Sequence, residues 1–91
     1  MKYITLLTEG SGNIPGRVIP FIFSKEITHK DFALFTIHYM HYFHNIKCKV
    51  RSAGFFNCEN ANCYGESETL GLSAHQDDSS IVQLFDYTMG M

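Results

Sequence analysis

Three histidines, His38, His41 and His44, recur at every third position of one stretch of this chain. At about 100° per residue they gather on one side of an α-helix. Neighbouring pairs there could reach one metal ion, as i, i+3 ligand pairs on helices do. A zinc site needs further ligands in a tetrahedral shell, and the cysteines, Cys48, Cys58 and Cys63, supply them poorly. Metal knuckles pair cysteines at short spacing with a second pair elsewhere, and here no second pair exists. No metal site and no cofactor is therefore assigned. The row reads as solvated or interface-lining imidazoles. Imidazole is the side chain that changes charge around neutral pH, so a contact through this row is expected to respond to pH.

Other chemistry is sparser still. Cys58 and Cys63 could bridge across a hairpin tip if their geometry allowed, but an odd number of cysteines in a reducing compartment reads as three free thiols. A cysteine nucleophile needs a histidine or a helix N-terminus beside its sulfur, and no spacing brings His75 to a thiol. Gly10, Gly12 and Gly16 look like a phosphate cradle, yet a cradle feeds a helix N-terminus. Here the loop leads into the strand pattern RVIPFIF. Glu66 with Glu68 and Asp77 with Asp78 are paired acids without an evident pocket to separate their pKa values. No catalytic residue is assigned, and the chain is read as non-enzymatic.

Composition narrows the partners. The 91 residues fit one α+β domain, 1–91, and are 45% hydrophobic and 14% aromatic, far from the profile of disorder. Charged residues make up only 18%, below the usual quarter, which suits a protein that covers part of its surface with a partner. Homodimerisation is the plainest form of that. A net charge of −2, with Lys47, Lys49 and Arg51 as the densest basic cluster, argues against nucleic acid, which needs clustered cations. The start, MKYITLLTEGSG, shows no signal-peptide pattern, and no apolar run is long enough to span a membrane. The expected location is cytoplasmic.

The elements that must position these residues follow from periodicity. Residues 2–9 alternate as a first strand, with Ile4 and Leu6 on one face. GSGNIPG at 10–16 is turn chemistry. RVIPFIF at 17–23 is a second strand, placed at an edge because Pro20 cannot donate to a ladder. Thr28, with Asp31 three residues on, caps a helix that runs to Ile46. A third strand is expected at 47–57, a tip at CENANC, and a fourth strand at 63–72. A fuller capping box, Ser73 with Gln76, opens a second helix with Asp77 and Asp78 in its first turn and an apolar stripe of Ile81, Leu84, Phe85, Thr88 and Met89. Gly90 closes it. The predicted architecture is ββαββα, a four-stranded antiparallel sheet in the order 2-1-3-4 with both helices packed on one face.

Within that frame, Phe32, Phe35, Tyr39, Phe43 and Ile46 form an aromatic stripe, read as the core face of the first helix. Leu34, His38, His41, Tyr42, His44 and Asn45 are left outside as a docking surface. Pairing Cys58 with Cys63 puts Phe55 opposite Glu66, Ala53 opposite Glu68 and Arg51 opposite Leu70. This leaves Arg51, Phe55, Glu66 and Glu68 on a half-apolar sheet face that forms a second candidate partner surface. The expected function is a small protein-binding module. Size and lack of motifs suit a phage or mobile-element accessory protein of the anti-CRISPR or anti-restriction kind, which inhibits a host enzyme by occupying its surface; that step is analogy. The alternative is a metal- or redox-responsive regulator using His38, His41, His44 and the cysteines.

Overall fold

The computed structural model describes residues 1–10 and 12–89, without the side chains of 86–89. Strand β1, Lys2–Thr8, is buried at Tyr3, Ile4, Thr5 and Leu6 alike. A strand sealed on two successive side chains has a layer on each of its faces. β1 accordingly lies inside an antiparallel sheet of order β2-β1-β3-β4, with β2 at Val18–Phe23, β3 at Cys48–Asn57 and β4 at Asn62–Tyr64. Pro20 sits on the outer strand β2, opposite Thr5, where its missing N–H disturbs no second ladder.

The order of strands and the α+β class are as expected; the layering differs. Ile4, Leu6, Phe23 and Ala53 pack with Ala33 of helix α1, His29–His44. Tyr3 and Cys63 instead pack with Val82 of helix α2, Asp78–Met89. Tyr3 and Ile4 are neighbours in one strand and point to opposite faces, so the two helices cover opposite faces. The cause is the first strand itself, which carries two apolar faces where a one-sided sheet would carry one.

α1 is also rotated about its axis, by roughly a quarter turn at 100° per residue, from the expected orientation: Phe32 stays on the core side while Phe35, Tyr39 and Phe43 turn out of it. Its buried residues are His29, Ala33 and Thr36, with Phe32, Ile37 and Met40 packed beside them. Ala33 is 2% exposed, and small side chains at 33 and 36 let the helix backbone approach the sheet. The polar members of this face are satisfied locally. Thr36 Oγ1 donates to the Phe32 carbonyl at 2.7 Å, and His29 Nε2 lies 2.8 Å from the Gly54 carbonyl. A carbonyl only accepts, so Nε2 carries the proton. Thr28 caps the helix as its sequence implies, its hydroxyl accepting from the Asp31 N–H at 3.1 Å. Asn45 ends it in the left-handed region, φ 53°, a conformation that Asn tolerates better than most residues.

The segment expected as one fourth strand breaks into three pieces. β4 ends at Tyr64, and β5, Glu66–Ser67, pairs with β6, Leu72–Ser73, in a separate hairpin. Gly65, at φ 79°, makes the break, a backbone angle that side-chain-bearing residues rarely adopt. Cys63 stands opposite Phe56 and Phe55 opposite Tyr64, so the expected Cys58–Cys63 pairing is wrong by two positions. Cys58 is at the exposed tip, Cys63 is buried, and all three cysteines are free thiols. Ser73 belongs to β6, which leaves no Ser73–Gln76 capping box. α2 starts at Asp78, whose carboxylate reaches back to accept from the His75 N–H at 2.9 Å. Its buried residues among the described side chains are Asp78 and Val82, while Leu84 is 70% exposed. The expected stripe residues Thr88 and Met89, and Gly90, lie outside the described side chains.

Candidate functional site

Between Thr5 and Leu6 the pairing with β3 skips from Ser52 to Val50. Arg51 is the extra residue, a β-bulge that re-aims one side chain. It points to the start of α2, where Nη1 donates to Asp78 Oδ1 at 2.9 Å and Nη2 donates to Asp77 Oδ1 at 2.8 Å. Asp78 is fully buried and also accepts from the Tyr3 hydroxyl at 2.5 Å. A buried carboxylate is stable only when its oxygens are met in this way. Arg51 raises no free charge on a sheet surface; it holds α2 against the sheet. Sequence reasoning missed this centre, although an Asp pair at a helix start and an Arg in a facing strand were both visible.

Burial and the neighbouring Asp78 carboxylate push the Tyr3 phenol upward. Burial first, and then the same carboxylate, push the Cys63 thiol up to about 11. Both groups are therefore neutral at physiological pH. The Arg51 guanidinium holds the Asp77 carboxyl below its usual range. One guanidinium thus bridges two carboxylates and ties the start of α2 to β3.

Phe55, Glu66 and Glu68 do come together, though on a different frame from the one expected. With Lys2, Thr28, His29, Tyr64 and Thr69 they line a cleft of about 450 Å³ between the sheet, the start of α1 and the β5–β6 hairpin. The Phe55 ring stands between His29, at 5.7 Å, and Tyr64, at 6.0 Å. Lys2 Nζ donates to the Ile27 carbonyl at 3.0 Å on its rim.

The outer face of α1 is the larger feature. Leu34, His38, His41, Tyr42, His44 and Asn45 are exposed, as the sequence implies. Phe35, Tyr39 and Phe43, expected in the core, are exposed beside them at 68%, 45% and 75%. Their rings form a run, Phe35 against Tyr39 at 6.3 Å and Tyr39 against Phe43 at 5.1 Å. His38 stacks on Tyr42 at 6.1 Å, and His41 meets the same ring edge-on at 5.4 Å. Toward β2 the face continues into a shallow apolar groove of about 220 Å³ lined by Phe21, Phe32, Phe35, Thr36 and Tyr39. Ile46, the remaining member of the expected stripe, is half-buried.

Among the described residues no three His, Cys, Asp or Glu side chains come together to hold a metal ion. His38 and His41 contact the Tyr42 ring and His44 the Tyr39 ring, while Cys63 lies on the far side of the sheet with α2. No helix among the described residues is long and apolar enough to cross a membrane. Compared with known protein families, curated proteins and solved structures, the chain matches none. What fold and surface together define is a small α+β domain with one helix left aromatic on its outer side.

Proposed function

We propose that this chain is a non-catalytic, cytoplasmic protein-binding module that works through the outer face of α1. The observation that carries the reading is the exposure of Leu34, Phe35, Tyr39, Tyr42 and Phe43 on one helix. Scattered apolar residues on a surface need no explanation, but contiguous aromatic patches mark contact sites. Tyr in particular supplies large, stiff contact area with a polar tip, the composition of interface centres. The basic cluster that could have served nucleic acid loses Arg51 to Asp77 and Asp78, which favours a protein partner. An inhibitor that occupies the surface of a host enzyme, as accessory proteins of phages and mobile elements do, needs such a face and no active site.

The test is capture of partners from the native host's extract by the tagged protein, with His38→Asp/His41→Asp and Tyr42→Asp variants run beside it. One dominant stoichiometric partner, lost with the variants while their circular dichroism stays unchanged, supports the reading. A partner retained by both variants moves the interface to the Phe55–Glu66–Glu68 cleft.

A further inference from the structure

We infer that, in the absence of another protein, a second copy of the chain covers the outer face of α1, as a two-fold pair of antiparallel helices. This rests on the reading of that face as a contact surface and names its first occupant.

Area is the first argument. An aromatic side chain offers roughly 150–250 Å², and Phe35, Tyr39, Tyr42 and Phe43 are 45–75% exposed, so the four rings present on the order of 500 Å². Leu34, His38 and His41 extend the patch toward the roughly 800 Å² that each partner gives to a standard interface. A monomer would hold an apolar patch at the top of the usual range of about 300–600 Å² open to water. Phe21 of β2 reaches its edge, at the groove beside Phe35 and Tyr39. α2 lies across the sheet, and the β5–β6 hairpin meets α1 on its core side, with Leu70 and Leu72 against the cluster that holds Ala33, and at its start, where the Lys30 N–H donates to Thr69 Oγ1 at 3.3 Å.

Charge is the second argument. From Phe32 to Ile46 there is no Asp, Glu, Lys or Arg. A two-fold interface must be complementary to itself, and a fixed charge near the axis would meet its own like. This stretch has none to oppose. A partner selected by carboxylates or by Lys and Arg side chains would find no permanently charged group on this stretch to pair with. The polar tips present are imidazoles and phenols, each able to donate and to accept, so His38, His41 and Tyr42 can satisfy the same groups of another copy. The 16 residues of α1 give a seam of about 24 Å at 1.5 Å per residue, and antiparallel pairing sets the two helix dipoles against each other favourably.

The experiment is sedimentation equilibrium of the whole chain from low to high micromolar concentration, with Tyr42→Glu and Phe35→Glu variants. Hydroxyl-radical labelling of Tyr39 and Tyr42 is measured on the same samples. The expected result is a mass that rises from one chain to two, with both tyrosines protected in step. Either substitution should raise the dissociation constant by about thirtyfold or more, the loss of one aromatic anchor, at unchanged circular dichroism. Three results overturn the second copy: a single-chain mass throughout, masses above two chains without a plateau, or a dimer that both variants leave intact. Labelling separates that failure from failure of the proposed function. A monomer with reactive tyrosines keeps the face open for a different partner, whereas a monomer with protected tyrosines removes the contact surface altogether.

Discussion

The Tyr3 hydroxyl donates to the Asp78 carboxylate at 2.5 Å across 75 positions of sequence, joining the central strand to the last helix inside the protein. Asp78 also accepts from Arg51 and from the His75 N–H. Replacing Asp78 by Ala strands three donors and leaves the guanidinium with only exposed Asp77. Breaking a buried pair by removing one partner costs about 3–5 kcal/mol. For a domain of this size, with stability toward the low end of about 5–15 kcal/mol, that is most of the total. Asp78→Ala is expected to be unfolded or close to it in a thermal melt. Tyr3→Phe removes one bond to a charged group, worth about 1.5–3 kcal/mol, and should melt cooperatively at a lower temperature. An Asp78→Ala protein as stable as the parent would mean that this cluster holds nothing together.

The same centre sets an alkaline limit. An ordinary cysteine releases its proton near 9, and burial with the Asp78 carboxylate moves Cys63 to about 11. The unfolded chain therefore loses this proton first. A raised folded value contributes stability that is present below the unfolded value and is lost as pH rises through the folded one. Stability should fall between about pH 9 and 11, with Tyr3, also pushed upward, adding to the same trend. Denaturant melts across this range check it, and Cys63→Ala should flatten the fall. At neutral pH a thiol reagent should label exposed Cys58 readily and Cys63 only as the protein opens.

Gly54 fills a space that no other residue can share. A Cβ there would stand 2.4 Å from the Tyr64 carbonyl oxygen and 3.2 Å from the Tyr3 ring. Its own carbonyl is the acceptor for His29. Gly54→Ala must push β4 off β3 or tilt Tyr3 away from Asp78. A loss of at least about 2 kcal/mol is expected, in the range of overpacked cores, with hydrogen exchange rising first at β4. Unchanged exchange at Cys63 and Tyr64 would contradict the packing described.

Strand order was legible because its signals are local. Pro20 marks an edge, and turn residues punctuate 10–16. The run of Tyr3, Ile4, Thr5 and Leu6 also carries the information that both faces are covered, which the alternation of Ile4 and Leu6 alone does not. The orientation of α1 was harder. Both sides of that helix are apolar, and bulk alone points to the wrong one as the core. Small Ala33 and Thr36, spaced with Phe32, Ile37 and Met40, were the better signal, since close approach to a sheet selects for small side chains rather than large ones. His29 belongs inside only because Gly54 offers it a carbonyl, a pairing 25 residues apart that no periodicity reveals. The Arg51 bulge depends on strand register, which is set by tertiary contacts, and so the ion pairs that anchor α2 were out of reach.

The orientation of α1 gives the sharpest test. Tyr39 is 45% exposed and Ala33 is 2% exposed. A charge at position 39 keeps its hydration, and its effect on the isolated fold should stay within about 0.5 kcal/mol, as for other surface changes. A charge at position 33 would be driven between Ile4, Leu6 and Ala53 without a partner, a cost of several kcal/mol. Tyr39→Asp is therefore expected to be soluble, to melt cooperatively near the parent temperature and to sediment as a single chain. Ala33→Asp is expected to lose its cooperative transition. The reverse pattern, a stable Ala33→Asp and an unfolded Tyr39→Asp, would turn α1 around. It would return the aromatic run to the core and leave the proposed contact surface without its rings.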